Sequence, residues 1–194
     1  EKMKITVPTH LVDKKKAIEN IKFMSEKAKR HKLIFRPHLK TPQSVQAAKW
    51  YKEIGVNKAT VSSFRMAEYF AGEGWDDITV AFPVNVLEID RINSLAEKIN
   101  LNILFTSHEA VSLLSEKLKF PIGFFIKIDT GMRRSGIEPD NFKMIDDVLN
   151  EANRNNKLIF KGFLAHYGHT YKAKSTEEIK SIHEKSLLEL KRLK

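Results

Sequence analysis

The sequence predicts an α/β fold built on a parallel sheet. Strand-like and helix-like segments alternate from residue 13 to the C-terminal end, giving an N-terminal helix and then six strand–helix pairs. The connections between them are mostly short, as crossover helices require. No GxGxxG or GxxxxGK[ST] loop follows the first strand-like run, which counts against dinucleotide-binding and P-loop versions of an open sheet. An open doubly wound sheet is complete with six strands. A (β/α)8 barrel typically takes about 250 residues and needs two more units.

Residues 13–31 carry Ile18, Ile21 and Met24 at helical spacing, which predicts a helix with these three toward the core. "KLIFRPHL" reads as the first strand and "PQSVQAAKWYKEIG" as a helix ended by Gly55. "KATVSS" and "FRMAEYFAGEG" form the second pair, closed by glycines. "DITVAFP" with "VLEIDRINSLAEKIN" repeats the cycle, and "LNILFT" leads into "SHEAVSLLSEKLK", where Ser107 is the predicted N-cap. "IGFFIKID" precedes a loop and "PDNFKMIDDVLNEANRN". "LIFKGFLAHYGH" is the last strand, and "STEEIKSIHEKSLLELKRLK" the last helix, with Ser175 and Glu178 in a capping-box pattern. The chain ends in helical sequence with no glycine or proline stop.

Composition narrows the function. With 194 residues, 42% of them hydrophobic and 30% charged, the chain suits one globular domain. No apolar run approaches the roughly 18 residues that span a bilayer, and the opening lacks a signal-peptide core, so a cytoplasmic protein without a membrane partner is expected. There is no cysteine, which removes disulfides, thiolate nucleophiles and Cys-based zinc sites. The net charge of +10 raises nucleic-acid binding. The lysines of "DKKKAIENIKFMSEKAKRHK" are interspersed with apolar residues at helical spacing, which marks a solvated helix face. The expectation is no nucleic acid, and a basic field that attracts an anionic ligand.

Sites in parallel α/β folds gather at the C-terminal strand ends. Those ends read Lys40, Ser62 and Ser63, Pro83 and Asn85, Thr106 and Ser107, Asp129, and His166 to His169. In "FRPHLKTPQS", alternation places Arg36, His38 and Lys40 on one face. A lysine there is either a rim lysine or a Schiff-base amine, and positive neighbours would lower its pKa. In "FFIKIDTGMRRSGI", Lys127 and Asp129 share a face, and a buried Lys and Asp are expected to pair. The H-x-x-H of "AHYGHTY" puts its histidines on opposite sides of a strand, so no metal is assigned there.

Together these segments resemble the fold-type III pyridoxal-phosphate enzymes, most of all the D-threonine aldolase / D-serine dehydratase group, with alanine racemase more distant. "RPHLKTPQS" is similar to that group's RPHxKTHK, whose lysine carries the cofactor as a Schiff base; the match is Lys40. "KIDTGMRRSGI" resembles K-x-D-x-G-x-x-R-x-G, whose arginine bonds the cofactor's phenolic oxygen; the match is Arg134 rather than Arg133. "HYGHTY" resembles the GH[ST]Y segment, which implies that His166 packs on the pyridine ring and that Tyr171 contacts cofactor or substrate. "VPTHLVD" looks like the T-P-x-L-[VL]-D opening. One position departs: Pro42 stands where the family has histidine after K-T.

The resemblance implies a pyridoxal-phosphate-binding (β/α)8 TIM-type barrel, incomplete in this chain at about six βα units. Residues 1–194 would be the truncated barrel domain, without the C-terminal β-domain that carries the phosphate cradle and the divalent-metal (Mn or Zn) ligands. The implied activity is a lyase acting on a small β-hydroxy D-amino acid, in a homodimer. A non-catalytic pyridoxal-phosphate-binding protein and an amino-acid racemase are the alternatives.

Overall fold

A computed structural model describes residues 4–193. Five strands form a single parallel sheet in the order of the chain: β1 (Lys58–Val61), β2 (Asp77–Pro83), β3 (Asn100–Phe105), β4 (Ile122–Ile128) and β5 (Leu158–Ala165). A doubly wound sheet reverses its strand order at a switch point. Strictly sequential order is instead an arc of a (β/α) barrel. Among the described residues, seven α-helices accompany it: α1 (Lys14–Arg30), α2 (Val45–Lys52), α3 (Phe64–Ala71), α4 (Ile89–Ala96), α5 (His108–Ser115), α6 (Phe142–Ala152) and α7 (Thr176–Lys191).

The expected first strand does not form as a regular element. Its place beside β1 is kept by one bridge, with the Leu39 N–H donating to the Thr60 carbonyl at 2.8 Å and the Thr60 N–H to the Pro37 carbonyl at 2.8 Å. Pro37 has no N–H to extend the ladder, and the chain turns directly after Leu39. The alternation of faces survives: Pro37 and Leu39 are buried, Arg36 and His38 half-buried, and Lys40 exposed.

The core lies between the sheet's outer face and the helices. Val61, Val80, Ile103, Phe105, Phe124 and Ile126 pack against Phe64, Phe70, Ile92, Leu114 and Val148. Residues with the opposite strand parity form the inner face, which is largely polar: Asp77, Thr79, Asn102 and Lys127 are all buried. Gly123 is required there, because a Cβ would sit 2.0 Å from Asn102 Oδ1.

Helix starts follow the expected capping chemistry. Ser107 Oγ accepts from the Ala110 N–H at 3.3 Å, and Ser175 Oγ from the Glu178 N–H at 3.1 Å. Glu178 returns its carboxylate to the Lys174 N–H at 2.7 Å, one residue before the box position. Gly55 lies three residues past the end of α2 in the left-handed region, at φ +81°. In α1 the buried stripe runs through Ile21 and Ser25, with Ile18 half-buried. Met24, expected inside, is 45% exposed because it falls on the flank of that stripe.

Candidate functional site

The two ends of the sheet do different work. At the N-terminal end Asp77 is held by four side chains. Arg36 Nη2 lies 2.7 Å from Oδ1, Lys58 Nζ bonds Oδ2, and the Asn100 and Asn102 amides donate at 3.2 and 3.5 Å. Arg36 Nη1 also donates to the carbonyls of Ala59 and Asp77, each at 3.2 Å. Burial alone would raise the Asp77 carboxyl, but the bonds and charges of Lys58 and Arg36 bring it below its ordinary value. Arg36 is therefore spent on Asp77. Expected to neighbour Lys40 on one face, it has its side chain tied to the far end of the sheet instead.

The C-terminal end carries the candidate site. Lys40 sits in the turn after Leu39, where its N–H donates to His38 Nδ1 at 3.3 Å. Among the described residues, no hydrogen bond or ion pair engages Lys40 Nζ. His38 is pushed down to about 4, first by burial and then by the charges of Lys40 and His166, so its ring is neutral near pH 7.

Arg134 lines a narrow crevice with Lys127, Met132, Ser135 and His166, whereas Arg133 lines two neighbouring clefts and not that crevice. Lys127 is 5% exposed and bonds Ser135 Oγ. Burial lowers its pKa, the nearby Arg134 lowers it further, and Asp129 opposes both. The expected Lys127–Asp129 pair is absent among the described residues. Asp129 turns into its own loop instead: Oδ1 accepts from the Gly131 and Arg133 N–H groups at 3.0 Å each, and Oδ2 from the Arg134 N–H at 3.1 Å. Burial pulls the Asp129 carboxyl upward, but these backbone donors outweigh it and hold the group below its usual range. The loop returns through Gly136, at φ +129°, so that Ile137 bridges Ile128.

The last expected strand is shorter than its sequence. β5 ends at Ala165, and Gly168–Lys172 forms a 3-10 turn, so His166 and His169 do not straddle a strand as expected. A glycine stands in "HYGHTY" because His166 folds back over it: a Cβ on Gly168 would lie 2.7 Å from His166 Nε2 and 2.8 Å from Met132 Sδ. The Tyr171 ring meets the His166 ring edge-on at 5.9 Å, with Tyr171 itself 76% exposed. Burial lowers the His166 pKa, as do the charges of Arg134, Lys40 and Lys127. The structure thus gathers His166, Arg134 and Tyr171, with Lys40 near enough for its charge to act on His166 and His38.

Other polar strand-end residues serve as caps. Ser63 Oγ accepts from the Met66 N–H at 3.2 Å and Asn85 Oδ1 from the Leu87 N–H at 3.2 Å. The sequence reading missed Ser135 and Met132. The signal for Ser135 was present, since a buried Lys127 needs an acceptor and Ser135 follows on the same loop. Among the described residues, no cluster of three or more His, Asp or Glu side chains is arranged to hold a metal ion.

Comparison with known proteins places this geometry. A D-serine dehydratase of Dictyostelium discoideum is 28% identical over 174 residues, covering 82% of this chain and 44% of that protein. The structure of D-threo-3-hydroxyaspartate dehydratase from Delftia sp. HT23 superposes with a TM-score of 0.85 at 23% identity, covering 92% of this chain and 48% of the other. D-threonine aldolase from Filomicrobium marinum superposes with a TM-score of 0.80 at 18% identity, over 91% of this chain and 48% of that one. The chain spans about half the length of the relatives it matches. The family described as "Alanine racemase, N-terminal domain" matches residues 12–192. The chain belongs to the alanine racemase N-terminal domain family, the barrel of the fold-type III pyridoxal-phosphate enzymes.

Proposed function

We propose that this domain holds pyridoxal 5'-phosphate between Lys40, Arg134, His166 and Tyr171, as the cofactor barrel of a lyase acting on β-hydroxy D-amino acids. One observation carries the reading. An unengaged lysine amine, an arginine and a histidine ring with a depressed pKa meet at one end of the strands, beside a carboxylate already taken by backbone donors. With the Asp129 carboxylate turned into its own loop, Lys40 and Arg134 leave the site short of negative charge. An anionic ligand with an aldehyde, a phenolate and a flat ring fits that donor set. When bound, the cofactor supplies an electron sink for charge developing at the substrate's α-carbon.

The chain's own groups divide the remaining work. Lys40 Nζ holds the cofactor and carries the α-proton. Arg134 holds the phenolic oxygen, a charge-assisted bond of about 1.5–3 kcal/mol. His166, kept neutral by burial and by the charges of Arg134 and Lys40, lies against the ring without adding a further cation. Tyr171 braces that ring edge-on. Among the described residues, no side-chain cluster fits a divalent metal.

Support for the substrate class comes from the relatives, among them a D-serine dehydratase, a D-threo-3-hydroxyaspartate dehydratase and a D-threonine aldolase. The test is to load the barrel, together with the C-terminal β-domain that the resemblance implies, with pyridoxal 5'-phosphate and assay D-serine for pyruvate and D-threonine for glycine. The reading expects elimination or Cα–Cβ cleavage of the D-isomer. Racemisation alone, or bound cofactor with no turnover of any β-hydroxy D-amino acid, would reject it.

A further inference from the structure

Next to the candidate site lies a second concavity. It is a groove of about 680 Å³ lined by Met132, Arg133, Tyr171, Lys172, Ile182 and Lys185, among others. Met132 and Gly168, with His166 folded over them, form the wall that separates it from the crevice holding Arg134. Its chemistry is one-sided. Arg133, Lys172 and Lys185 contribute three cations, no carboxylate lines it, and among the described residues none of the three makes an ion pair or a side-chain hydrogen bond.

Two buried polar atoms point the same way. Thr130, only 5% exposed, lines the groove, and its Oγ1 has no hydrogen-bond partner among the described residues. His169 lines it too, and its buried Nδ1 is likewise unsatisfied. Buried polar atoms are ordinarily satisfied, so two orphans on residues that line one groove mark it as a place for a ligand. Arg133, Lys185 and Thr130 also line an adjoining cleft of about 300 Å³, which carries the carboxylates of Asp129, Glu138, Asp140 and Glu189 together with Arg192. Met132, Ile182 and the Tyr171 ring add apolar surface for the body of a small molecule.

We propose that this groove binds a small anion, a carboxylate or phosphate head on an apolar body, at a site distinct from the cofactor mouth. The head meets Arg133, Lys185 and the Thr130 hydroxyl, and the body lies against Met132, Ile182 and Tyr171. The site does not depend on the reaction assigned to the mouth. Because Tyr171 also touches His166, occupancy of the groove is felt at the mouth through that ring pair.

Inorganic phosphate and malonate serve as probes, titrated separately by calorimetry at constant ionic strength. Arg133 has φ +54°, so it is replaced by Asn, which tolerates that conformation; the second variant is Lys185→Gln. The expected result is saturable one-site binding, weakened about tenfold or more by either variant and less than about twofold by Arg134→Gln. Tighter phosphate binding identifies a phosphate ester as the natural head group, and tighter malonate binding a carboxylate. Binding that never saturates overturns the proposal. So does binding lost in Arg134→Gln but kept in Arg133→Asn, which would move the anion into the cofactor mouth. Loss of pyridoxal-phosphate binding with the groove intact would fail the functional reading alone.

Discussion

Replacing Asp129 by Asn removes the charge that organises the loop presenting Arg134. In the wild-type protein one carboxylate satisfies three backbone donors: Gly131 and Arg133 at Oδ1, both at 3.0 Å, and Arg134 at Oδ2 at 3.1 Å. An asparagine offers one oxygen. Placed at Oδ1, it keeps two neutral bonds at roughly half their charge-assisted strength, about 1 kcal/mol lost in each. Its NH2 then faces the Arg134 N–H, donor against donor, for about 1.5 kcal/mol more. Because Arg133 and Arg134 are exposed and water relieves part of this, the net loss is about 2 kcal/mol. For a domain of this size that lowers the melting temperature by about 4–8 °C. The pH dependence has a definite sign. Asp129 has a folded pKa below its ordinary 3.8, so its stabilisation is fully present above pH 3.8 and lost as pH falls through the folded value. Thermal melts of both proteins at neutral pH and near pH 3 test this. The gap in melting temperature should narrow at the lower pH. Equal melting temperatures at neutral pH, or a gap unchanged by acid, would refute the reasoning.

Gly136→Ala should cost about 3 kcal/mol in urea unfolding, since φ is +129° and a Cβ would sit 2.8 Å from the Asp129 nitrogen; a neutral result would mean that the loop does not close as described. His38 titrates near 4 in the folded chain against 6.5 unfolded, so stability falls as pH drops from 6.5 through about 4. His38→Gln should flatten that slope in equilibrium unfolding. Arg134→Ala should weaken pyridoxal 5'-phosphate binding by about 10- to 100-fold, from a charge-assisted bond of about 1.5–3 kcal/mol. Arg133→Asn should leave that affinity within about twofold by fluorescence titration, because Arg133 lines the neighbouring groove and not the crevice with Arg134 and His166.

Elements whose local chemistry agrees with their environment were legible in the sequence. The serine caps at Ser107 and Ser175, the helix count and the parallel alternation depend on residues a few positions apart, and they form as the pattern requires. The first strand was misread because apolar alternation in "KLIFRPHL" outweighed Pro37, which cannot donate to a ladder. The last strand was extended too far because nothing in "AHYGHTY" marks where β5 ends; the contact of His166 over Gly168 and against Met132 is a tertiary fact. The partners of Arg36, Lys127 and Asp129 were illegible for the same reason. Alternation tells which face a charge occupies, whereas the choice of Asp77, Ser135 or a loop's own N–H groups is made in three dimensions.

The central claim is that Lys40 carries the cofactor, and reductive trapping tests it most directly. The protein is incubated with pyridoxal 5'-phosphate, reduced with borohydride, digested and mapped by mass spectrometry. The account predicts a pyridoxyl group on the peptide containing Lys40, and its loss in Lys40→Arg together with the visible absorbance of the complex. A pyridoxyl group found on Lys127 or on a surface lysine, with Lys40 unmodified, would contradict it.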